Sequence, residues 1–276
     1  MDDNLKSFFI LAVISVIVFF IFDSISILFA FILIILIIFF FYFASDRIIL
    51  DKYEAEPAIN SYVKRTVKEL SKKAGIKEPK IYMLNINLAN ALAVGKSRKN
   101  ASIGITRKLL QLEKPELKAV IAYEIAYIKN NTVLLGCVMA MIAGLIVSIS
   151  YFLKWFFDTL TTKKSKIGLI FFSIAMPIAA LLLHITLSRK EKFKADLKAS
   201  KLLEQPYSLI SALKKLDKEK ATGFEWSAHL FFVSPLTKFS SILFSTHPSL
   251  GERVRRLRKF WKKKETKRSA YQVTNI

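Results

Sequence analysis

Three side chains able to do chemistry lie close together in the sequence: Tyr123, Glu124 and Tyr127. A glutamate can act as a general base, and it can deprotonate a water molecule that neighbouring ligands hold on a metal ion. In a helix that turns about 100° per residue, positions i, i+1 and i+4 lie within an arc of roughly 100°. If this stretch is helical, the three side chains therefore share one face and one site.

The spacing of these residues matches H-E-x-x-H, the helix of zinc metallopeptidases in which two histidines bind the metal and the glutamate is the general base. Tyrosine stands at both histidine positions here. Tyrosines at i and i+4 on an apolar helix are more often core residues than ligands. The meaning of the pattern therefore depends on the rest of the chain.

The stretch 118–130 is predicted to be a helix. Pro115 lies where a first-turn proline is tolerated, and Glu116 places a negative charge near the helix N-terminus. Neither glycine nor proline follows before Gly136. A continuous helix can therefore carry the three side chains.

The elements before this helix are short and of mixed type. Apolar residues recur at helical spacing over 58–74, and Gly75 is a suitable stop. Residues 80–84, 89–94 and 101–106 are predicted to be strands. Strands followed by the tyrosine-bearing helix form the order of an α+β metallopeptidase core.

Long apolar runs predict four membrane spans. Between Phe8 and Ala44 the only charged residue is Asp23, which suits two spans joined as a hairpin. The third span is predicted at about 133–153 and the fourth at about 167–187.

Basic residues at the span ends set the orientation. By the positive-inside bias, both polar regions, 45–132 and 188–276, are predicted to be cytoplasmic. The residues that carry this prediction lie next to the spans: Arg47, Lys129, Arg189 and Lys190. Four spans then leave both termini on the cytoplasmic side of the cell membrane.

The 276 residues carry a formal net charge of +22. Such an excess indicates a nucleic-acid partner or an anionic membrane surface. No nucleic-acid fold signature accompanies it, so the spans favour lipid. Cys137, the single cysteine, cannot form an internal disulfide. The basic stretch 253–264 includes Phe260 and Trp261, and it fits either a solvated terminal helix or one attracted to anionic headgroups.

Four motifs, in order, resemble those of HtpX-like membrane metallopeptidases. Residues 119–131 resemble the family's H-E-L-A-H-I-K-N-R-D helix, and residues 90–95 resemble its N-A-F-A-x-G strand. Residues 188–196 resemble its S-R-x-R-E-Y-x-A-D helix, and residues 245–253 resemble its S-T-H-P-x-x-x-x-R element. Together with the apolar spans, the resemblance covers nearly the whole chain.

The resemblance implies a fold as well as a family. It implies a mainly helical α+β integral membrane protein with four transmembrane helices and a cytoplasmic zincin-like metallopeptidase domain that contains a small sheet. A transmembrane hairpin would occupy residues 1–45. The peptidase domain would occupy 46–276, interrupted by the spans at about 133–153 and 167–187.

In this family, zinc is bound by the two histidines and by the glutamate of R-E-Y-x-A-D, and these positions fall on Tyr123, Tyr127 and Lys192. Neutral tyrosine, with a pKa of about 10, is a poor zinc ligand, and a lysine ammonium has no lone pair. Metal affinity depends on the complete ligand set. We therefore expect no zinc and no other cofactor. Of the histidines outside the motifs, His184 is expected to be interfacial or packed and His229 to lie at the surface or to pack, rather than to bind a metal.

Other residues of the family's site are kept. Glu124 matches the general base, and Asp196 matches the aspartate that steadies the histidine ligands from the second shell of the metal site. His247 and Arg253 match the pair that lies near the reacting carbonyl. The resemblance therefore implies a site that keeps its surroundings while its metal ligands differ.

The resemblance also implies a peptide groove. Asn90, Ala91 and Ala93 match the edge strand on which such enzymes lay out an extended substrate by strand addition. Three aromatic residues further along the chain could either cover this site or touch the bilayer: Trp226, Phe231 and Phe232.

Lys192 leads to a hypothesis about what fills the place of the metal. Its ammonium would pair with Glu124, with Asp196 nearby, and the hydroxyls of Tyr123 and Tyr127 would supply hydrogen bonds. The alternative is that Lys192 points into water.

Three functions follow from these patterns. The first is a catalytically inactive pseudoprotease that binds peptides or unfolded membrane protein segments in membrane protein quality control, with an active paralogue as a candidate partner. The second is an active membrane metalloendopeptidase with an atypical metal site. The third is a membrane structural protein.

Overall fold

The computed structural model describes residues 42–160, 189–220, 227–236 and 247–273, together with isolated helical positions between 29 and 40 and between 173 and 181. The chain divides into two compact units, Met1–Phe43 and Ala44–Ile276. Most of the predicted first, second and fourth spans lie outside the described residues, as do His184 and Trp226. The site belongs to the second unit.

A sheet of four strands supports the site. Its strands are β1 (Glu56–Pro57), β2 (Lys80–Leu84), β3 (Ala91–Ser97) and β4 (Asn100–Thr106), in the order β1-β2-β4-β3. β2 pairs with β4 in parallel, and β3 pairs with β4 antiparallel, with Ala93 opposite Ile103. β3 is therefore the last of the four strands, and its outer side carries an isolated antiparallel bridge between Leu92 and Phe231.

The strand β3 is longer than the predicted stretch 89–94 because it continues through a glycine. Gly95 has a φ of +152°, and an added Cβ there would lie 2.4 Å from the Asn100 carbonyl oxygen. The pairing with β4 shifts register between Gly95 and Ser97. Glycine therefore marks a bulge in the strand and does not end it.

Six longer helices lie in the second unit: α1 (Ser61–Ala74), α2 (Lys114–Lys129), α3 (Val133–Leu160), α4 (Arg189–Leu202), α5 (Tyr207–Leu216) and α6 (Leu250–Val273). Residues 44–52 are also helical, and two short 3-10 helices cover Arg107–Gln111 and Ala228–Leu230. The predicted α+β class with a small sheet is confirmed. The count of four spans stays a prediction.

The helix α1 begins later than the predicted position 58. The side chain of Asn60 accepts a hydrogen bond from the backbone N–H of Val63, which fixes Asn60 as the N-cap. Gly75, with a φ of 67°, ends the helix as predicted.

The helix α2 is the centre of the unit. Its side chains are buried from Ala119 to Ile128 on every face, so no polar stripe faces water. The Glu116 carboxylate accepts a hydrogen bond from the Glu113 N–H at the start of the helix, 3.2 Å away. α1, α4, α5 and β3 all pack against α2. Residues on α2 are therefore held rigidly by their neighbours.

The helix α3 contains a stretch suited to a membrane. Val133–Thr159 has a mean hydropathy of 2.5, and of the helices in the described part of the chain it is the one long and apolar enough to cross a bilayer. The C-terminal half of this helix exposes large side chains such as Phe152 and Trp155. The predicted third span, 133–153, lies within this helix.

Candidate functional site

The site lies where α2 packs against α4. Tyr123 and Glu124 are fully buried on α2, and Tyr127 lies one turn further along, with its ring centroid 6.3 Å from that of Tyr123 and nearly parallel to it. The helix α4 brings Lys192 and Asp196 to the same place, and both are buried. The helical geometry that the sequence predicts is therefore realised, with these five residues in one cluster.

The Lys192 side chain is buried, with 5% of its surface exposed. Its Nζ donates a hydrogen bond to the backbone carbonyl of Phe231 at 2.8 Å. The same nitrogen lies 4.9 Å from the ring centroid of Tyr127 and 5.8 Å from that of Tyr123. Of the two alternatives for Lys192, the one in which it points into water is therefore wrong.

The hypothesis that Lys192 sits near Glu124 and Asp196 agrees with the structure, since both carboxyl groups act on Lys192 as neighbouring charges. The direct contacts differ: Lys192 bonds a carbonyl and faces the tyrosine rings, and it forms no direct ion pair with Glu124. Within the described ranges, neither Glu124 oxygen nor the Tyr123 hydroxyl has a hydrogen-bond partner. Asp196 is bonded elsewhere, to Arg253.

Glu124 is a buried carboxyl group without a local donor. Burial raises the pKa of Glu124 well above its usual range, and the charges of Lys192 and Arg253 offset only part of this. Burial likewise lowers the pKa of Lys192. Burial therefore disfavours the charged form of both groups, and the attraction between them opposes this only in part.

Asp196 and Arg253 form a buried ion pair. Arg253 donates from Nε to Asp196 Oδ2 at 2.8 Å and from Nη2 to Asp196 Oδ1 at 2.7 Å. The third donor, Nη1, bonds the backbone carbonyl of Phe232 at 2.8 Å. The guanidinium also lies about 5 Å from the ring centroids of Tyr123 and Phe232. This fork fixes α6 against α4.

His247 is buried and contacts the same Phe231 carbonyl as Lys192. Its Nε2 is 2.8 Å from the Phe231 oxygen, so Nε2 carries the hydrogen and donates it. Burial lowers the pKa of His247 well below its usual range, and the imidazole is therefore neutral. The role expected for His247, beside the reacting carbonyl, stays a prediction; in the structure it bonds the Phe231 carbonyl of this chain.

Asn90 and β3 bind the segment that supplies these carbonyls. The Asn90 side chain donates to the Val233 carbonyl at 2.8 Å and accepts from the Val233 N–H at 3.3 Å. The Phe232 N–H donates to the Ala91 carbonyl at 2.8 Å, and Phe231 forms an antiparallel bridge with Leu92. Of the two predicted roles for the aromatic residues, covering the site is therefore confirmed for Phe231 and Phe232.

The importance of Val233 was missed at the sequence level. Its neighbour Phe232 stood out as aromatic, but an ordinary valine after it gives no signal. Ala93 is buried within β3 beside the site.

His229 has a packing role, as predicted. Its Nε2 lies 2.9 Å from the Gly136 carbonyl oxygen on α3. Burial lowers the pKa of His229 to about 4. The imidazole therefore stays neutral near pH 7.

The chemistry of the cluster does not fit a zinc ion. Zinc in proteins takes thiolate, imidazole and carboxylate ligands. Burial raises the pKa of Tyr123 and of Tyr127, so both phenols hold their protons, and Lys192 offers an ammonium. In the parts of the chain described above, no three His, Cys, Asp or Glu side chains are grouped closely enough to hold a metal ion.

Comparison with known proteins gives consistent matches. The model of peptidase family M48 matches residues 57–260. The protease HtpX of Legionella pneumophila (strain Corby) is 35% identical over 279 residues, covering 94% of this chain and 99% of that protein. A protease HtpX homolog of Dictyoglomus thermophilum is 37% identical over 276 residues, covering 92% of this chain and 91% of its own.

An archaeal relative and one solved structure extend the comparison. A protease HtpX homolog of Thermococcus kodakarensis is 34% identical over 232 residues, covering 78% of this chain and 80% of its own. The crystal structure of S. mikatae Ste24p has a TM-score of 0.47 and 20% identity, covering 82% of this chain and 57% of that one.

Proposed function

This chain belongs to peptidase family M48 and is of the HtpX type, and from that premise we propose that it is a membrane pseudoprotease, which binds peptides in the family's cleft without cutting them. The family is the one that the four sequence motifs predict, and that prediction is confirmed. The finer proposal concerns what the altered cluster does.

The observation that carries the proposal is the position of the Lys192 ammonium. It donates to a backbone carbonyl at 2.8 Å, inside a buried cluster formed by α2 and α4. A zinc ion supplies a Lewis acid at such a carbonyl in active metallopeptidases. In this chain the Lys192 nitrogen instead donates a hydrogen bond to such an oxygen, that of Phe231, so a peptide carbonyl can be bound there without a metal.

Hydrolysis needs more than an attracted carbonyl. A metal lowers the pKa of its bound water to about 7, and a hydrogen-bonding ammonium does not coordinate water in that way. Glu124 is buried with a raised pKa and lacks a hydrogen-bond donor among the described residues, so its protonated form is favoured. Neither an activated water nor an ionised base is therefore favoured.

Peptide binding, in contrast, uses groups that are all present. β3 is an edge strand, and the Asn90 amide can donate to and accept from one residue of an added strand. His247 and Arg253 donate to the successive carbonyls of Phe231 and Phe232 in this chain, and a bound peptide backbone could take the same bonds. The setting we propose is membrane protein quality control, beside an active paralogue with an intact H-E-x-x-H motif.

A proteolysis assay tests the proposal. The full chain, purified in detergent and supplied with zinc, is incubated with an unfolded soluble protein and with a membrane protein, and Glu124→Gln serves as the control. We expect equal, background cleavage from both. Cleavage by the natural sequence that disappears in Glu124→Gln would contradict the proposal and favour an active enzyme with an atypical metal site.

For topology, we propose the two-part organisation of the sequence analysis: a transmembrane hairpin at 1–45, and a cytoplasmic peptidase-like domain at 46–276 interrupted by two further spans. The apolar surface of α3 and the basic residues at the span ends support it. Single cysteines at Ser97 and Lys163, in a Cys137→Ser background, should differ in labelling by an impermeant thiol reagent. Labelling of Ser97→Cys from outside the cell would contradict this topology.

A further inference from the structure

We infer that the residues Phe231, Phe232 and Val233 are a built-in pseudosubstrate. They occupy the peptide cleft of this same chain, and the external ligand of the cleft is an extended peptide with two consecutive aromatic or large apolar residues that displaces them. The inference rests on the proposed peptide-binding function and deepens it. We call these three residues the internal strand.

The backbone of the internal strand is paired like an added β-strand. The Phe232 N–H donates to the Ala91 carbonyl at 2.8 Å, and the Phe231–Leu92 bridge is antiparallel. At the next residue, the Asn90 side chain both donates to and accepts from the Val233 peptide groups. The open edge of β3 is therefore used in the way that an extended peptide would use it.

Two carbonyls of the internal strand are bonded by side chains from separate parts of the fold. The Phe231 oxygen accepts from Lys192 on α4 and from His247, each at 2.8 Å. The Phe232 oxygen accepts from Arg253 on α6, also at 2.8 Å. An ordinary buried loop needs one donor for each carbonyl. Here Lys192, His247 and Arg253 all donate to two neighbouring carbonyls. Such an arrangement suits the recognition of an extended peptide backbone.

The side chains of the internal strand fill aromatic subsites. Phe231 packs edge-on against Tyr53, with 5.7 Å between the ring centroids. Phe232 packs edge-on against Tyr123 at 4.7 Å, and the Arg253 guanidinium lies 4.9 Å from its ring. Both phenylalanines are fully buried. Aromatic or large apolar side chains fit these subsites.

The charges around the subsites exclude one class of ligand. The Arg253 guanidinium lies 4.9 Å from the Phe232 ring, and the buried Lys192 nitrogen lies 2.8 Å from the Phe231 carbonyl oxygen. A lysine or arginine in either position would be buried next to a like charge, which is costly. The cleft should therefore discriminate against basic residues at these two positions.

The test uses the full chain in detergent and a labelled synthetic peptide with the sequence of residues 228–236. Phe232→Pro removes the N–H that bonds Ala91 and so releases the internal strand. Ser234→Ala is the matched control, because it changes the same segment and leaves the pairing with β3 intact. We expect Phe232→Pro to bind the peptide about tenfold or more tightly than the natural sequence, since the competent fraction rises. A peptide with lysine at both phenylalanine positions should not bind.

An engineered disulfide provides a second, reversible test of the internal strand. Phe231 and Leu92 are directly opposed, and because the neighbouring pair Phe232–Ala91 shares the hydrogen bond, they are a non-hydrogen-bonded pair with Cα atoms about 4.5 Å apart. That separation suits a disulfide. Leu92→Cys with Phe231→Cys, in a Cys137→Ser background, should bind no peptide when oxidised and should gain binding on reduction.

The outcomes separate the two ideas. Equal, tight peptide binding by the natural sequence, Ser234→Ala and Phe232→Pro would overturn the internal strand and leave the peptide-binding function standing. Unchanged binding after the disulfide is closed would also overturn the internal strand. Absence of binding in every form, including the reduced disulfide variant and Phe232→Pro, would overturn the peptide-binding function, and the inference would fall with it.

Discussion

Replacing Asp196 with asparagine should destabilise the protein strongly, because it leaves a buried cation without its counter-ion. Arg253 and Asp196 are each about 2% exposed and share two hydrogen bonds of 2.7 and 2.8 Å. Removing one partner of a buried, hydrogen-bonded pair costs about 3–5 kcal/mol, since the remaining charge stays desolvated. Asparagine keeps the shape of the side chain and removes only the charge and one acceptor oxygen.

The assay is thermal unfolding of the full chain in detergent. For a domain of this size, each kcal/mol shifts the Tm by about 2–4 °C, so Asp196→Asn should lower it by roughly 6–20 °C. The control is Glu252→Gln, which breaks the Arg256–Glu252 pair at 2.8 Å on the exposed face of α6. That pair is worth about 0.5 kcal/mol or less because water screens it.

The comparison decides between a buried pair and an incidental one. A loss for Asp196→Asn no larger than that for Glu252→Gln would refute the claim that the Asp196–Arg253 fork holds α4, α6 and the Phe232 carbonyl together. A large loss for both variants would also refute it, because the exposed pair has no desolvated charge to strand.

Two further predictions concern pH. Burial raises the pKa of Glu124 above its ordinary value of 4.5, so the folded state keeps a proton that the unfolded state releases, and stability is lost as pH rises above about 4.5. Glu124→Gln should lose less stability than the natural sequence over that rise in denaturation experiments, and an unchanged slope would count against a buried, protonated Glu124. Burial lowers the folded pKa of His229 to about 4, so the stability that this neutral histidine contributes is present above pH 6.5 and is lost as pH falls towards 4. Across that range the natural sequence should lose up to about 3 kcal/mol of unfolding free energy relative to His229→Gln. Parallel stability curves for the two proteins would show that His229 does not titrate in the unfolding reaction.

The elements that could be predicted from the sequence are those with local signals. The helix carrying Tyr123 follows from its uninterrupted apolar run, and the strands around Gly104 follow from their alternation. The errors were local as well: Asn60 caps α1 later than its apolar pattern begins, and Gly95 bends β3 where it was expected to end.

The contacts of Lys192 could not be predicted in the same way. Its partner, the Phe231 carbonyl, is a backbone group 39 positions away, and no property of the Phe231 side chain indicates that this carbonyl accepts a hydrogen bond from Lys192. Opposite charge predicts a direct pair between Lys192 and Glu124. In the structure Glu124 is a charged neighbour, while the Lys192 nitrogen bonds a neutral carbonyl and faces the two tyrosine rings.

The central claim, that this chain has no zinc site, is tested most directly by its zinc content. The full chain is purified in zinc-containing buffer, and its zinc is measured by elemental analysis. The account predicts well under one equivalent of zinc, because Tyr123, Tyr127 and Lys192 lack the donor chemistry that zinc requires. The triple change Tyr123→His, Tyr127→His and Lys192→Glu restores a complete ligand set, and it should recover far more metal than any one of these changes alone. One equivalent of zinc in the natural sequence, lost when Tyr123 or Tyr127 is replaced by phenylalanine, would contradict the account.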